Sequence, residues 1–252
     1  MIRLIARIDA RNGMHIKTIN CEGTKVLRPL EKSIAIFSEG TQTFDEIILL
    51  DNVATLYGKQ NWLIRDPAKF FFCPIPLSVG GAISSSEIAT KTLKSGADKI
   101  VINSAAVENP SLIEKLAKIC GQQAIVLQVD AKLVGDTYLC CTHGSRELSK
   151  ICVKSWISSA QQLGAGEIHL TSIDSEGVDV PFPNQLADIA SSATRLPIIV
   201  SGGISSADQI HSLNKTFGID SFSVSSIPNR LNVQINQLRK DLHKLGGTVR
   251  WP

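Results

Sequence analysis

Residues 76–85 read PLSVGGAISS and residues 197–206 read PIIVSGGISS, so one ten-residue pattern occurs twice, 121 positions apart. In each copy a brief apolar run meets small residues and then a serine-rich start to an amphipathic segment. A short, partly branched apolar run ended by glycine reads as a strand. Ser84 with Glu87, and Ser205 with Asp208, fit the S-x-x-[E/D] pattern that opens a helix. The same offset carries Asp9-Ala10 onto Asp130-Ala131, Glu46 onto Glu167, Val79 onto Val200, Gly81 onto Gly202 and Ser104 onto Ser225. Such a gapless register implies two homologous halves, each of four strand-helix units. The chain has 252 residues, and about 250 is usual for an α/β protein of the (β/α)8 TIM-barrel class. The expected architecture is therefore one barrel domain over residues 1–252, built from half-barrels at about 1–120 and 121–252.

Strands are expected at Leu4–Asp9, Glu46–Asp51, the first glycine motif, Lys99–Asn103, Ala124–Asp130, Glu167–Ser172, the second glycine motif and Ser221–Ser225. Helices are expected from about Leu30 to Glu39, Trp62 to Phe72, up to Lys94, after Asn109-Pro110, Val153 to Leu163, after Pro183, and Asn232 to Leu245. His15–Asn20 reads as a short extension of a long first loop, and Lys132–Lys150 as a β-hairpin turning at Gly135-Asp136.

Composition removes several classes of function. A net charge of +3 without basic-aromatic alternation gives no nucleic-acid footprint. No apolar run approaches the roughly 20 residues a membrane span needs. The opening MIRLIARID carries two arginines and an aspartate in its apolar run, so it reads as a strand rather than a signal peptide. Six cysteines without a C-x-x-C pair point to reduced thiols in a cytoplasmic protein. No histidines stand at ligand spacing, His169 reads as a core or lumen residue, and neither metal nor cofactor is expected.

In a barrel of this class the active site lies at the C-terminal strand ends. Asp9 and Asp130 end the first and fifth strands, which are diametrically opposed in a ring of eight. Two carboxylates facing each other suit general-acid and general-base roles. The plain alternative is that each caps a loop or pairs with Lys17 or Lys132. Gly81, Asn103 and Ser104 form one candidate phosphate cradle, and Gly202, Gly203 and Ser225 a second. Two such cradles imply an elongated substrate with a phosphate at each end. Turn geometry alone is the alternative. At the opposite end, Arg3, Glu46, Lys99 and Glu167 begin four strands whose interiors are apolar. Pointing inward, they form a neutral ring, since unpaired buried charges cost several kcal/mol. Such a ring serves equally as a structural plug or a gate.

These segments closely resemble the cyclase subunit of imidazole glycerol phosphate synthase, of histidine biosynthesis. The resemblance rests on IDARNG with Lys17, ILLD ending at Asp51, SVGGAI, GADKIVINSAAVENPSLI, VDAK at Asp130, GAGEIHLTSID and IIVSGG, and it covers essentially the whole chain. It implies a lyase-type cyclase paired with a class I glutaminase subunit in a heterodimer. Ammonia from that partner would convert a bis-phosphorylated ribulosyl nucleotide to imidazole glycerol phosphate and aminoimidazole carboxamide ribotide. By resemblance, Asp9, Asp130 and Lys17 are catalytic. Asp51, Gly81, Asn103, Ser104, Thr171, Ser172, Glu176, Gly177, Gly202, Gly203 and Ser225 contact substrate. Arg3, Glu46, Lys99 and Glu167 form an ammonia gate, and Asp98 and Gln123 lie near the docking face.

The family's D-G-T-x-x-G-Y-D pattern is here Glu176-Gly177-Val178-Asp179-Val180-Pro181-Phe182-Pro183. The triple glycine after the third strand ends in Ala82, and the first loop lacks the usual G-D-P. A paralogous branch uses the same ammonia chemistry to amidate sugars for surface polysaccharide, and the Trp251-Pro252 end resembles that branch. Sugar amidation is therefore the alternative activity, followed by a ribosyl-nucleotide isomerase or a non-catalytic scaffold subunit.

Overall fold

The computed structural model describes residues 1–51, 53–65, 73–225 and 234–251. The expected end of the second helix at Phe72, the start of the last at Asn232, and Pro252 lie outside them. Strand β1 (Arg3–Arg11) pairs in parallel with β4 (Glu46–Asp51) on one side and β12 (Ser221–Val224) on the other. Parallel pairing continues from β4 through β5 (Leu77–Gly80), β6 (Lys99–Ile102), β7 (Ile125–Val134), β10 (Glu167–Ser172) and β11 (Ile198–Ser201) to β12. Eight parallel strands thus close a (β/α)8 barrel.

Helices α1 (Leu30–Ser38), α2 (Trp62–Arg65), α3 (Ser86–Lys94), α4 (Ser104–Glu108), α5 (Ser111–Cys120), α6 (Val153–Leu163), α7 (Asn184–Ala193), α8 (Ala207–Phe217) and α9 (Ile235–Lys244) fall between and after the strands. Side chains alternate across each strand. Ile5, Ile48, Leu50, Val101, Val126 and Ile199 form an inner cluster that fills the barrel. Leu4, Ala6, Ile47, Leu49 and their counterparts belong to a separate outer core against the helices. Burial on both faces explains the nearly continuous apolar runs.

The 121-residue offset appears in the pairing itself. Ile5 pairs with Glu46 and Val126 with Glu167; Asp9 pairs with Leu50 and Asp130 with Thr171. The register advances by one at the last strand, where Gly80 pairs with Val101 but Ser201 with Ser223. Ser225 is therefore the counterpart of Asn103, not of Ser104.

Three local expectations change. The first loop is an antiparallel hairpin, β2 (Met14–Ile19) and β3 (Glu22–Pro29), laid on the end of β1. It matches the hairpin of β8 (Thr137–Thr142) and β9 (Glu147–Cys152) on β7. Its turn places Asn20 and Cys21 at φ 50° and 62°. Turns with two positive φ values usually show Asn-Gly, so cysteine at the second position hides the signal. The helix caps fall one residue later than the capping pattern suggests: Ser85 accepts from Ile88 N and Ser206 from Gln209 N, both at 3.3 Å. Adjacent serines made the choice ambiguous. Finally, the short α4 precedes the helix expected after Asn109-Pro110.

The last helix is anchored by charge. Arg239 is 1 % exposed; its Nη2 donates to Asp45 Oδ1 at 3.0 Å and its Nη1 to the Thr43 carbonyl at 2.7 Å. Asp45 Oδ2 in turn accepts from Leu4 N at 2.8 Å. Arg239→Ala is expected to cost about 3–5 kcal/mol, because Asp45 would remain buried without its cation. Chemical denaturation measures it, and a loss under about 1 kcal/mol would mean the pair behaves as a surface one.

Candidate active site

Asp9 and Asp130 lie at equivalent ends of β1 and β7, with three strands between them in either direction around the ring. Each is held by the inward-facing residue two positions before it. Arg7 Nε donates to Asp9 Oδ1 at 3.1 Å, and Gln128 Nε2 donates to Asp130 Oδ1 at 2.9 Å. Arg7 and Gln128 are themselves 121 residues apart, so the two halves build the same clamp, one cationic and one neutral.

Arg7 is 2 % exposed and ties several strands together. Its Nη1 donates to Ser201 Oγ at 3.2 Å and to Thr171 Oγ1 at 3.5 Å, and lies 3.9 Å from Glu176 Oε2. Burial alone would lower the Arg7 pKa, but the carboxylates of Asp9 and Glu176 raise it overall. Beside it His169 is fully buried and is pushed down to about 3, first by burial and then by Arg7, so it is neutral.

Asp130 also accepts from Asn103 Nδ2 at 3.0 Å and Ser145 Oγ at 2.8 Å. Burial pushes its carboxyl above the usual carboxylate range, against the lowering effects of Gln128, Arg7 and Ser145. Ser145 comes from the tip of the second hairpin at φ 66°. The Cys21 thiol, from the tip of the first hairpin, reaches the Ser145 hydroxyl, and burial pushes it up to about 12. Two non-glycine residues in the left-handed region therefore meet above Asp130, and such strain tends to be kept at functional sites.

The candidate cradles differ in room. The first is a cavity of about 140 Å³ lined by Gly81, Asn103, Ser104, Asp130 and His143 among others. Gly81 has φ 118°, and a Cβ there would sit 2.8 Å from the Asp51 backbone oxygen, so only glycine fits. Asn103 is committed to Asp130 and to the Cys141 carbonyl, and Ser104 Oγ accepts from His143 N at 2.8 Å. The second cradle, of Gly202, Gly203 and Ser225, encloses about 10 Å³ and includes Glu176. Lys17 Nζ reaches it, 2.9 Å from Glu176 Oε1 and 3.2 Å from Ser225 Oγ. The first hairpin closes over this side: Asn20 N donates to the Glu176 carbonyl at 2.7 Å, and Gly177 packs against the Thr18 carbonyl.

Other expected residues are drawn elsewhere. Asp51 pairs with Arg65 Nη2 at 2.9 Å, and burial raises its pKa despite that cation. Ser172 Oγ bonds Ser175 Oγ at 3.1 Å beneath the following loop. At the far end Arg3 bridges Glu46 at 2.7 Å and Glu167 at 2.5 Å, and Lys99 bridges the same carboxylates at 3.4 and 2.8 Å. The four side chains form a closed ring. Asp98 and Gln123 are exposed beside the strand starts at that end. Asp98 Oδ2 also accepts from Leu77 N at 2.8 Å, a structural role like that of Asp45.

Sequence reasoning missed Arg7, Gln128 and Ser145. The first two carried a signal: Arg7 shares the inward parity of Asp9, and Gln128 follows by the repeat. Ser145 carried none, because a hairpin tip has no periodicity. Among the described residues no cluster of metal-ligating side chains occurs, and no helix is long and apolar enough to cross a membrane.

A closed (β/α)8 barrel with paired carboxylates and glycine cradles at its C-terminal mouth is the architecture of a barrel enzyme. Residues 3–227 match the family model described as "Histidine biosynthesis protein", and the chain belongs to that family. It is 38 % identical over 214 residues to the imidazole glycerol phosphate synthase subunit HisF of Legionella pneumophila, covering 83 % of this chain and 99 % of that one. It is 34 % identical over 251 residues to the HisF subunit of Chlorobium phaeovibrioides, covering 98 % of each. The subunit of the same name from Staphylococcus carnosus is 33 % identical over 254 residues, 99 % of this chain and 98 % of that one.

Proposed function

We propose that the chain is the cyclase subunit of imidazole glycerol phosphate synthase, a lyase-type enzyme of histidine biosynthesis. The observation that carries this reading is the repeat-related pair Asp9 and Asp130, set in opposite clamps at one barrel mouth. Full-length similarity to subunits bearing that name supports it and favours it over sugar amidation.

Addition of ammonia to a substrate carbonyl requires a proton delivered to oxygen and another removed from nitrogen. Asp130, with its raised pKa, is the general acid. Asp9, facing the fixed Arg7 guanidinium, is the general base. Lys17, at the second cradle, balances developing or phosphate charge. The substrate would be the bis-phosphorylated ribulosyl nucleotide, with one phosphate at each cradle. Ammonia would come from a class I glutaminase docked near Asp98 and Gln123 and pass the ring of Arg3, Glu46, Lys99 and Glu167. Reduced cysteines fit a cytoplasmic setting.

The test is turnover of the ribulosyl nucleotide with an ammonium salt at alkaline pH, where neutral ammonia is abundant. Formation of both products is expected. Absence of turnover by folded protein, with amidation of a sugar under the same conditions, would replace the cyclase reading by the sugar one.

A further inference from the structure

The second cradle already contains an anion. Glu176 is 3 % exposed and lines the same small cavity as Gly202, Gly203 and Ser225. Its carboxylate takes the Lys17 ammonium at 2.9 Å, and that ammonium also reaches Ser225 Oγ. Arg7 Nη1 stands 3.9 Å from its other oxygen. Two cations, Lys17 and Arg7, thus face two carboxylates, Glu176 and Asp9, and local charge is balanced before any ligand arrives.

Room is also lacking. The cavity of about 10 Å³ is the size of a single water, whereas the first cradle offers about 140 Å³. The loop after β10 lies directly on the glycine turn: a Cβ on Gly203 would stand 2.3 Å from the Val180 carbonyl. The first hairpin fastens that loop from above through Asn20. A dianion entering here would meet a carboxylate of like charge, so it must displace Glu176 from Lys17.

We propose that Glu176 is a specificity-determining residue that occupies the second anion site until a ligand anchored in the first displaces it. Singly phosphorylated ligands would then be held at the first cradle only. A ligand with a second phosphate at the right distance would deliver it at high local concentration and take over Lys17 and Ser225. The inference rests on reading the glycine turns as anion cradles and does not depend on turnover.

Inorganic phosphate is the probe, titrated calorimetrically into wild type, Glu176→Gln and the double variant Glu176→Gln with Lys17→Ala. Wild type is expected to bind one phosphate per chain. Glu176→Gln should bind two, the second at least about tenfold tighter than any second event in wild type, as expected when a competing like charge is removed. The double variant should return to one. Retention of the first phosphate in both variants reports that the fold is intact. One phosphate bound by both wild type and Glu176→Gln, or two bound equally by both, overturns the role of Glu176. No phosphate bound by either overturns it together with the cradle reading beneath it.

Discussion

Asp130→Asn is expected to lower turnover with added ammonium by at least about a hundredfold, the lower end for lost general-acid help. The side chain accepts hydrogen bonds from Asn103, Gln128 and Ser145, all placed to meet carboxylate oxygens. An amide at this position has no acidic proton to give and turns two donors toward donors. Asp9→Asn should lose at least a similar factor of about a hundred, because the amide cannot accept the proton that leaves nitrogen. If both variants kept near-wild-type turnover, the aspartates would be structural and the assignment would fail.

Asp130 also predicts a stability change of definite sign. Its folded pKa is raised by burial, so the folded state binds the proton more tightly than the unfolded chain does. The stability it contributes is fully present below the unfolded pKa and is lost as pH rises through the folded value. The melting temperature of Asp130→Asn relative to wild type should therefore rise as pH increases from about 4, the ordinary carboxylate value, through the folded value, on top of the pH-independent cost of turning amide donors toward Asn103, Gln128 and Ser145. A difference that stays flat with pH would mean that burial does not raise the Asp130 pKa.

Lys99→Ala is expected to uncouple glutamine hydrolysis from cyclisation in the complex with the glutaminase. Lys99 closes one side of the ring by bridging Glu46 and Glu167, and Arg3 closes the other. Without Lys99 the carboxylates keep Arg3, so the loss of stability should fall below the roughly 3–5 kcal/mol of a fully broken buried pair. The cation is also 23 % exposed, which weakens the pair further. On the proposed ammonia route, removing one bar of the ring changes what crosses it while the mouth, at the other end of the strands, is untouched. Product formed per glutamine hydrolysed should fall several-fold, while turnover with added ammonium stays near wild type. Equal losses with glutamine and with ammonium would show that the ring is a structural plug.

Much of the fold is legible in the sequence. The 121-residue offset predicted a closed barrel, and the pairing of Ile5 with Glu46 and Val126 with Glu167 repeats it. The apolar runs of β4 and β10 marked strands buried on both faces, and their bounds at Glu46–Asp51 and Glu167–Ser172 match the expected ones. Local misreadings had local causes. Cysteine in place of glycine hid the turn of the first hairpin, and two adjacent serines blurred each helix cap.

Chain order and period-two alternation by themselves determined that Asp9 and Asp130 oppose each other and that Arg3, Glu46, Lys99 and Glu167 share one end. Both follow from the strand on which a residue lies and the direction in which it points. Only the tertiary structure decided which side chains meet inside the ring. Arg7 on Ser201, Lys17 on Glu176 and Ser145 on Asp130 are contacts between strands or from a hairpin to another element. Their distances depend on stagger and on turn conformations far apart in sequence, quantities that no local pattern of residues encodes.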